Sequence, residues 1–242
     1  MRARTTIRAS VAACLLIAAG VAAWAWIPTA VYEDGFDKGI RFWEPFLGYW
    51  RLNDKQWHWQ DWGGNGGGCL RHECELGVKE PGRGAHDAMI IYRSKQPWTN
   101  FSFEADARSR KGNFGLWFRA RMRRSDAKDG RYVAGYYLSL DPAHKRATLW
   151  MARKDGYDSA GRWDTNHFSN PVSIADGQIP QIPPDTWVRL KVVAIGPRLE
   201  GYVDGQKIFD VTDDTYSYGS IGFFTYKSPD ARFDNVVVTA FR

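Results

Sequence analysis

The chain has 242 residues, 44% hydrophobic and 25% charged, which is enough to bury one substantial core and too apolar for a disordered chain. Aromatic residues make up 15%, with 12 Trp, 11 Tyr and 13 Phe beside 24 Gly, a mixture that favours an all-β sandwich or barrel over a helical bundle. The net charge is +6, but Arg2, Arg4 and Arg8 supply half of it, and beyond Arg119 to Arg124 the Lys and Arg residues form no stripe, so no nucleic-acid partner is expected.

Residues 9–27, ASVAACLLIAAGVAAWAWI, carry no charge. As a helix this segment rises roughly 28 Å, close to the hydrocarbon thickness of a bilayer. The basic tip stays in the cytoplasm by the positive-inside rule, Trp24 and Trp26 reach the far interface, and Pro28 ends the helix. A cleaved signal peptide is the competing expectation, with Ala23-Trp24-Ala25 or Val21-Ala22-Ala23 as the cleavage pattern. Residues 1–31 are therefore expected to form an inner-membrane anchor or a leader, and residues 32–242 one exported, periplasmic domain. In that oxidising compartment Cys69 and Cys74 are expected to close CLRHEC as a disulfide. Free thiols remain an alternative, and a metal bound by Cys69, His72 and Cys74 lacks the second ligand pair that zinc wants.

From Phe36 onward, strands alternate with turn chemistry. In NFSFEADARSR, Phe101, Phe103, Ala105 and Ala107 share one face, with Ser102, Glu104, Asp106 and Arg108 on the other. After Lys111-Gly112-Asn113, FGLWFRAR puts Phe114, Leu116, Phe118 and Ala120 on one side, and Trp117, Arg119 and Arg121 on the other. VAGYYLSL and RATLWMAR follow, and then a polar stretch from Lys154 to about Pro184 reads as irregular. The last third alternates most regularly, with Asp204-Gly205 as a hairpin turn.

The order Trp187…Lys191…Gly196, Gly201-Tyr202-Val203-Asp204-Gly205, Tyr218-Gly219-Ser220-Ile221-Gly222 and Arg232-Phe233-Asp234-Asn235-Val236 resembles the concanavalin A-like lectin/glucanase superfamily. Asp34-Gly35-Phe36-Asp37, Trp43-Glu44-Pro45 and Gly48-Tyr49-Trp50 are similar to the opening of such domains. Laminin-G-like domains and family 16 glycoside-hydrolase-like domains are the nearest likeness, over roughly residues 32–242. The resemblance implies a jelly roll of two antiparallel sheets with one concave face. Its members include lectins, glycan-binding modules, glycosidases and protein-binding domains.

Three functional expectations follow from it. Family 16 catalysis needs two carboxyl groups about 5–5.5 Å apart. Glu104-Ala105-Asp106 resembles half of that motif, but Arg108 and Ser109 stand where the second glutamate belongs. The alternative is a solvated strand face with Glu104 and Asp106 paired to Arg119 and Arg121. For glycan binding, Trp117, Arg119, Tyr137 and Trp150 fall on the non-core side of successive strands, with Arg153, Trp163 and His167 at the rim. A phase slip of one residue would turn each of them to the other face. Relatives keep a structural ion near the termini, and Asp34 and Asp234 occupy matching positions for Ca²⁺. Asp234 closing a turn is the plainer alternative.

The segment WHWQDWGGNGGGCLRHECELG is atypical and reads as a loop whose Trp57, Trp59 and Trp62 dock on a membrane, a protein partner or a sugar. The sequence favours a membrane-anchored, exported carbohydrate-binding module without catalysis. An accessory subunit bound to integral membrane proteins, and a glycoside hydrolase-like enzyme, are the alternatives.

Overall fold

The computed structural model describes residues 27–46, 57–73, 87–93, 97–124, 131–152 and 171–242. Trp24, Trp26, Cys74, Trp163 and the expected anchor up to residue 26 lie outside them. Apart from one 3-10 turn, Pro142–His144, the described residues contain no helix, and so none long and apolar enough to cross a membrane.

Among the described residues, fifteen strands form two antiparallel sheets. The eight-stranded sheet runs β13 (Gln206–Thr212), β12 (Arg198–Val203), β11 (Val188–Ile195), β6 (Phe101–Ser109), β15 (Asp230–Phe241), β4 (Cys69–Glu73) and β3 (Trp57–Gln60), with β1 (Pro28–Asp34) beside the second half of β15. The seven-stranded sheet runs β10 (Val172–Gln178), β9 (Arg146–Ala152), β8 (Arg131–Asp141), β7 (Asn113–Arg124), β14 (Ser220–Tyr226), β5 (Asp87–Tyr92) and β2 (Trp43–Phe46). This is the expected all-β sandwich, and β1 brings residues 28–31 into it.

Alternation builds the core. Phe101, Phe103, Ala105 and Ala107 of β6 face Phe114, Leu116 and Phe118 of β7 across the interior, all buried. Phe223 joins the sheets, stacking on Phe233 with ring centroids 4.3 Å apart and lying 5.0 Å from Trp43. The Asp204-Gly205 turn takes the left-handed conformation at both residues, φ 47° and 79°, as a two-residue hairpin requires.

Four expectations change. First, β6 and β7 belong to different sheets, so the Gly112 turn is a crossover between layers and not a hairpin. Glu104 and Asp106 therefore cannot pair with Arg119 and Arg121. Second, the stretch read as irregular contains β10, which pairs with β9. Third, the supposed Trp-rich loop is a β3–β4 hairpin on β15, and Trp57 is a core residue packed on His72 and Phe233 at 4.8 and 6.0 Å. Trp59 and Trp62 remain exposed. Fourth, Cys69 is a free, buried thiol whose Sγ lies 3.7 Å from the Trp62 carbonyl oxygen.

Candidate functional site

Residues directly opposite in antiparallel strands share a face, so cross-strand register assembles the outer face of the seven-stranded sheet. Trp117 of β7 lies opposite Tyr137 of β8, Tyr137 opposite Trp150 of β9, and Trp150 opposite Ser173 of β10. On the other side Trp117 lies opposite Gly222, and Gly222 opposite Ile91. A second row joins Asp176, Thr148, Ser139, Gly115, Phe224 and Met89. The alternation that predicts Trp117, Tyr137 and Trp150 on one surface is thus correct.

These side chains make a second apolar layer outside the sandwich. Met89, Ile91, Trp117, Val133, Tyr137, Ala152 and Phe224 are all buried there, with Trp150 and Tyr226 partly buried against them. Trp117 and Tyr137 rings sit 4.6 Å apart, and Phe224 meets Tyr137 edge-on at 5.0 Å. Tyr137 and Trp150 stack across two strands, with ring centroids 6.2 Å apart and planes 15° from parallel. Trp117 has no exposed area and Tyr137 keeps 8%, so a ligand contact in this conformation falls on Trp150. Ser139 and Thr148 sit one row away, beside exposed Asp176. Gly115 keeps the face low: a Cβ there would fall 1.8 Å from the Leu138 carbonyl oxygen.

Farther along β8, Asp141 opposes Arg146 and caps the 3-10 turn, accepting the His144 backbone N–H. Its other oxygen lies 2.8 Å from His144 Nδ1. That contact orients the ring with Nε2 away from the carboxylate.

Arg119 does not join this face. The β7–β8 register shifts between Phe118 and Arg121, and Arg119 takes φ 48°, so an extra residue in β7 reverses the alternation. Ala120 moves outward, and Arg119 turns inward and is completely buried. Its guanidinium donates to the carbonyls of Tyr216 at 2.8 Å, Thr99 at 3.0 Å and Gly196 at 2.7 Å. Burial pushes its pKa down, and the Arg121 charge adds to that shift. Arg119 ties loops at one end of the sandwich and is not a ligand contact.

Glu104 and Asp106 lie on the outer face of the eight-stranded sheet, away from the aromatic rows. Arg189 reaches Glu104 at 3.3 Å and Asp106 at 2.9 Å, and Lys191 lies 3.6 Å from Glu104. Burial raises the Asp106 pKa, but hydrogen bonds from Asn235, Asn65 and Arg189 outweigh it and hold the carboxyl below its usual range. The two serve as a structural polar cluster.

The calcium expectation does not fit. Asp34 accepts from the Tyr32 hydroxyl at 2.9 Å, the Phe36 N–H at 2.8 Å and Trp43 Nε1 at 3.0 Å. Asp234, 1% exposed, accepts the N–H groups of Asn65 and Asn235, both at 2.7 Å. Each carboxylate closes a turn, and the described residues contain no group of three or more His, Cys, Asp or Glu able to hold a metal.

Comparison with solved structures places this sandwich among concanavalin A-like jelly rolls. The carbohydrate-binding module CBM66 from Bacillus subtilis is 20% identical with a TM-score of 0.52, covering 82% of this chain and 96% of its own. A laminarinase from Rhodothermus marinus is 14% identical with a TM-score of 0.56, covering 90% and 98%. A β-glucanase from Bacillus licheniformis is 10% identical with a TM-score of 0.56, covering 88% and 99%. At these identities the likeness is one of fold. No curated protein sequence matches the chain. Residues 44–239 match the sequence family described as the 3-keto-alpha-glucoside-1,2-lyase-like domain, and the chain belongs to that family.

Proposed function

We propose that the protein recognises carbohydrate on the outer face of its seven-stranded sheet, and that residues 9–27 anchor it in the inner membrane with the sandwich in the periplasm. The observation that carries this reading is the row Trp117–Tyr137–Trp150, whose outer end, Trp150 stacked on Tyr137, is partly open near exposed Asp176. Aromatic faces take the C–H surface of a sugar, and the exposed Asp176 carboxylate one row away addresses its hydroxyls. Membership of a family named for a glucoside-acting domain, and folds shared with a carbohydrate-binding module and glucanases, support the same chemistry. The full chain in mild detergent, run through affinity gels carrying a panel of neutral polysaccharides, is expected to be retarded by at least one. Free passage through all of them contradicts the reading.

The family description favours a second reading, elimination from a 3-keto-α-glucoside. In that reaction a base removes the C2 proton, acidified by the C3 ketone, while the C1–O bond breaks and the aglycone leaves, forming a C1=C2 enone. The Asp141–His144 pair, at 2.8 Å, is the candidate base among the described residues. Asp141 ends the strand that carries Tyr137, about 13 Å along it, and His144 lies in the 3-10 turn that follows. Release of the aglycone with new enone absorbance, lost in His144→Ala, supports this reading. Release undiminished in that variant removes His144 from it.

A further inference from the structure

The outer face of the eight-stranded sheet carries a row of arginines. Arg108 on β6 lies opposite Arg232 on β15, Arg232 opposite Arg71 on β4, and Arg71 opposite His58 on β3. Like charges directly opposed on one face repel, so three neighbouring guanidinium groups call for counter-charge. Asp230 provides it for two of them, at 2.9 Å from Arg71 Nε and 3.3 Å from Arg232 Nε. Glu73 adds a contact to Arg71 at 3.2 Å and to His58 at 3.7 Å.

Arg108 receives no such partner. Among the described residues no carboxylate pairs with it, its Nε is buried without a hydrogen bond, and its guanidinium rests 5.3 Å from the centre of the Trp187 ring. All three charges act on the Cys69 thiol: burial raises its pKa most, Arg232 lowers it, Asp234 raises it, and Arg108 and Arg71 lower it. Trp62, 62% exposed, covers the Arg232 guanidinium at 5.5 Å. The Trp62 turn is fixed there because Arg232 donates to the Gly63 carbonyl at 3.1 Å, in space that a Cβ on Gly63 would fill.

We propose that this row is a second binding site, specific for an acidic glycan, in which a uronate carboxylate pairs with Arg108 and sugar faces meet Trp62 and Trp187. The planar carboxylate matches the guanidinium fork, which favours it over other anions. One unneutralised arginine suits one charged sugar, whereas a nucleic-acid backbone needs a stripe of unpaired cations. Flanking tryptophans are the companions a sugar ring requires. The site lies on the opposite sheet from the aromatic rows, so the two stand or fall separately.

The test is affinity electrophoresis of the full chain in mild detergent through gels containing polygalacturonate, with dextran gels as the neutral control. Polygalacturonate is expected to retard the protein, and Arg108→Gln to weaken that retardation by about tenfold, the loss of one charge-assisted pair. Arg108→Lys, which keeps the charge but not the fork, is expected to fall between. Trp62→Ala, at an exposed position, weakens binding independently of any effect of Arg108 on folding. Unretarded migration of the wild type, or retardation of both Arg108→Gln and Trp62→Ala equal to that of the wild type, overturns the proposal. Tighter retention by heparin, duplex DNA or phosphatidylglycerol vesicles than by polygalacturonate also overturns it, by assigning the row to another anion.

Discussion

The two sheets decorate their outer faces in opposite ways. On the seven-stranded sheet, Trp117, Tyr137, Phe224, Met89 and Ile91 form a buried apolar layer, with Gly115, Ser139 and Thr148 between Phe224 and Asp176 in the second row. On the eight-stranded sheet the outward positions carry ion pairs: Arg189 with Glu104 and Asp106, Arg198 and Lys207 with Glu200 and Asp210, Arg71 with Asp230. A sandwich needs only its inner faces to fold. The apolar layer is itself covered, so what it offers a ligand is its partly exposed edge at Trp150, whereas the charge ladders are satisfied by their own partners, except at Arg108, which has no carboxylate partner among the described residues.

That contrast can be broken or sharpened by substitution, from the largest expected effect downward. Arg119→Met removes a buried guanidinium and leaves three carbonyls without their donor, so it is expected to cost about 3 kcal/mol or more in urea unfolding. Its neighbour Arg121, which reaches the Tyr218 carbonyl at 2.9 Å, is expected to cost under ~1 kcal/mol when replaced in the same way. Equal costs would deny the inward turn at the bulge.

Gly115→Ala forces a Cβ against the Leu138 carbonyl on the aromatic face and is expected to cost about 2 kcal/mol. An unchanged urea midpoint would mean that the face is not packed as described. Asp106→Asn is expected to cost about 1–2 kcal/mol at neutral pH. Because the folded Asp106 carboxyl titrates below its unfolded value, its contribution is fully present above about pH 4 and lost as pH falls through the depressed folded value. The difference between wild type and Asp106→Asn should therefore shrink in acid, and a difference that grows contradicts the assignment. Asp210 is also depressed, by Arg198 first and Lys207 next, but it lies at the surface with 36% of its side chain exposed. Asp210→Asn is expected to leave the thermal midpoint nearly unchanged and insensitive to salt.

Much of the fold was legible because alternation is a local property. Phe101, Phe103, Ala105 and Ala107 share the core face as their spacing predicts, and Asp204-Gly205 turns as its residue types demand. The aromatic row was legible for the same reason, since Trp117, Tyr137 and Trp150 stand at matching phases of successive paired strands. Arg119 was misplaced because a bulge inserts one residue. The available signal was Gly135, a glycine inside a strand, which lies opposite the bulge at φ 148° with room for no Cβ against Arg119. The β6–β7 turn looks like a hairpin locally, and only the sheet assignment shows the chain crossing layers. The glycine run at 63–68 disguised a hairpin as a loop and hid the burial of Trp57. The arginine row could not be read at all, because residues 58, 71, 108 and 232 meet only through long-range pairing.

The most direct test of the central claim compares Trp150→Ala with Trp62→Ala in binding to whichever neutral polysaccharide retards the wild type. Trp150 ends the aromatic row on one sheet, and Trp62 sits on the other. Sugar recognition on the seven-stranded face predicts that Trp150→Ala weakens retention by about tenfold or more, the scale of one lost aromatic contact, while Trp62→Ala binds as the wild type does. Undiminished retention by Trp150→Ala, with its fold intact by near-UV circular dichroism, would contradict it.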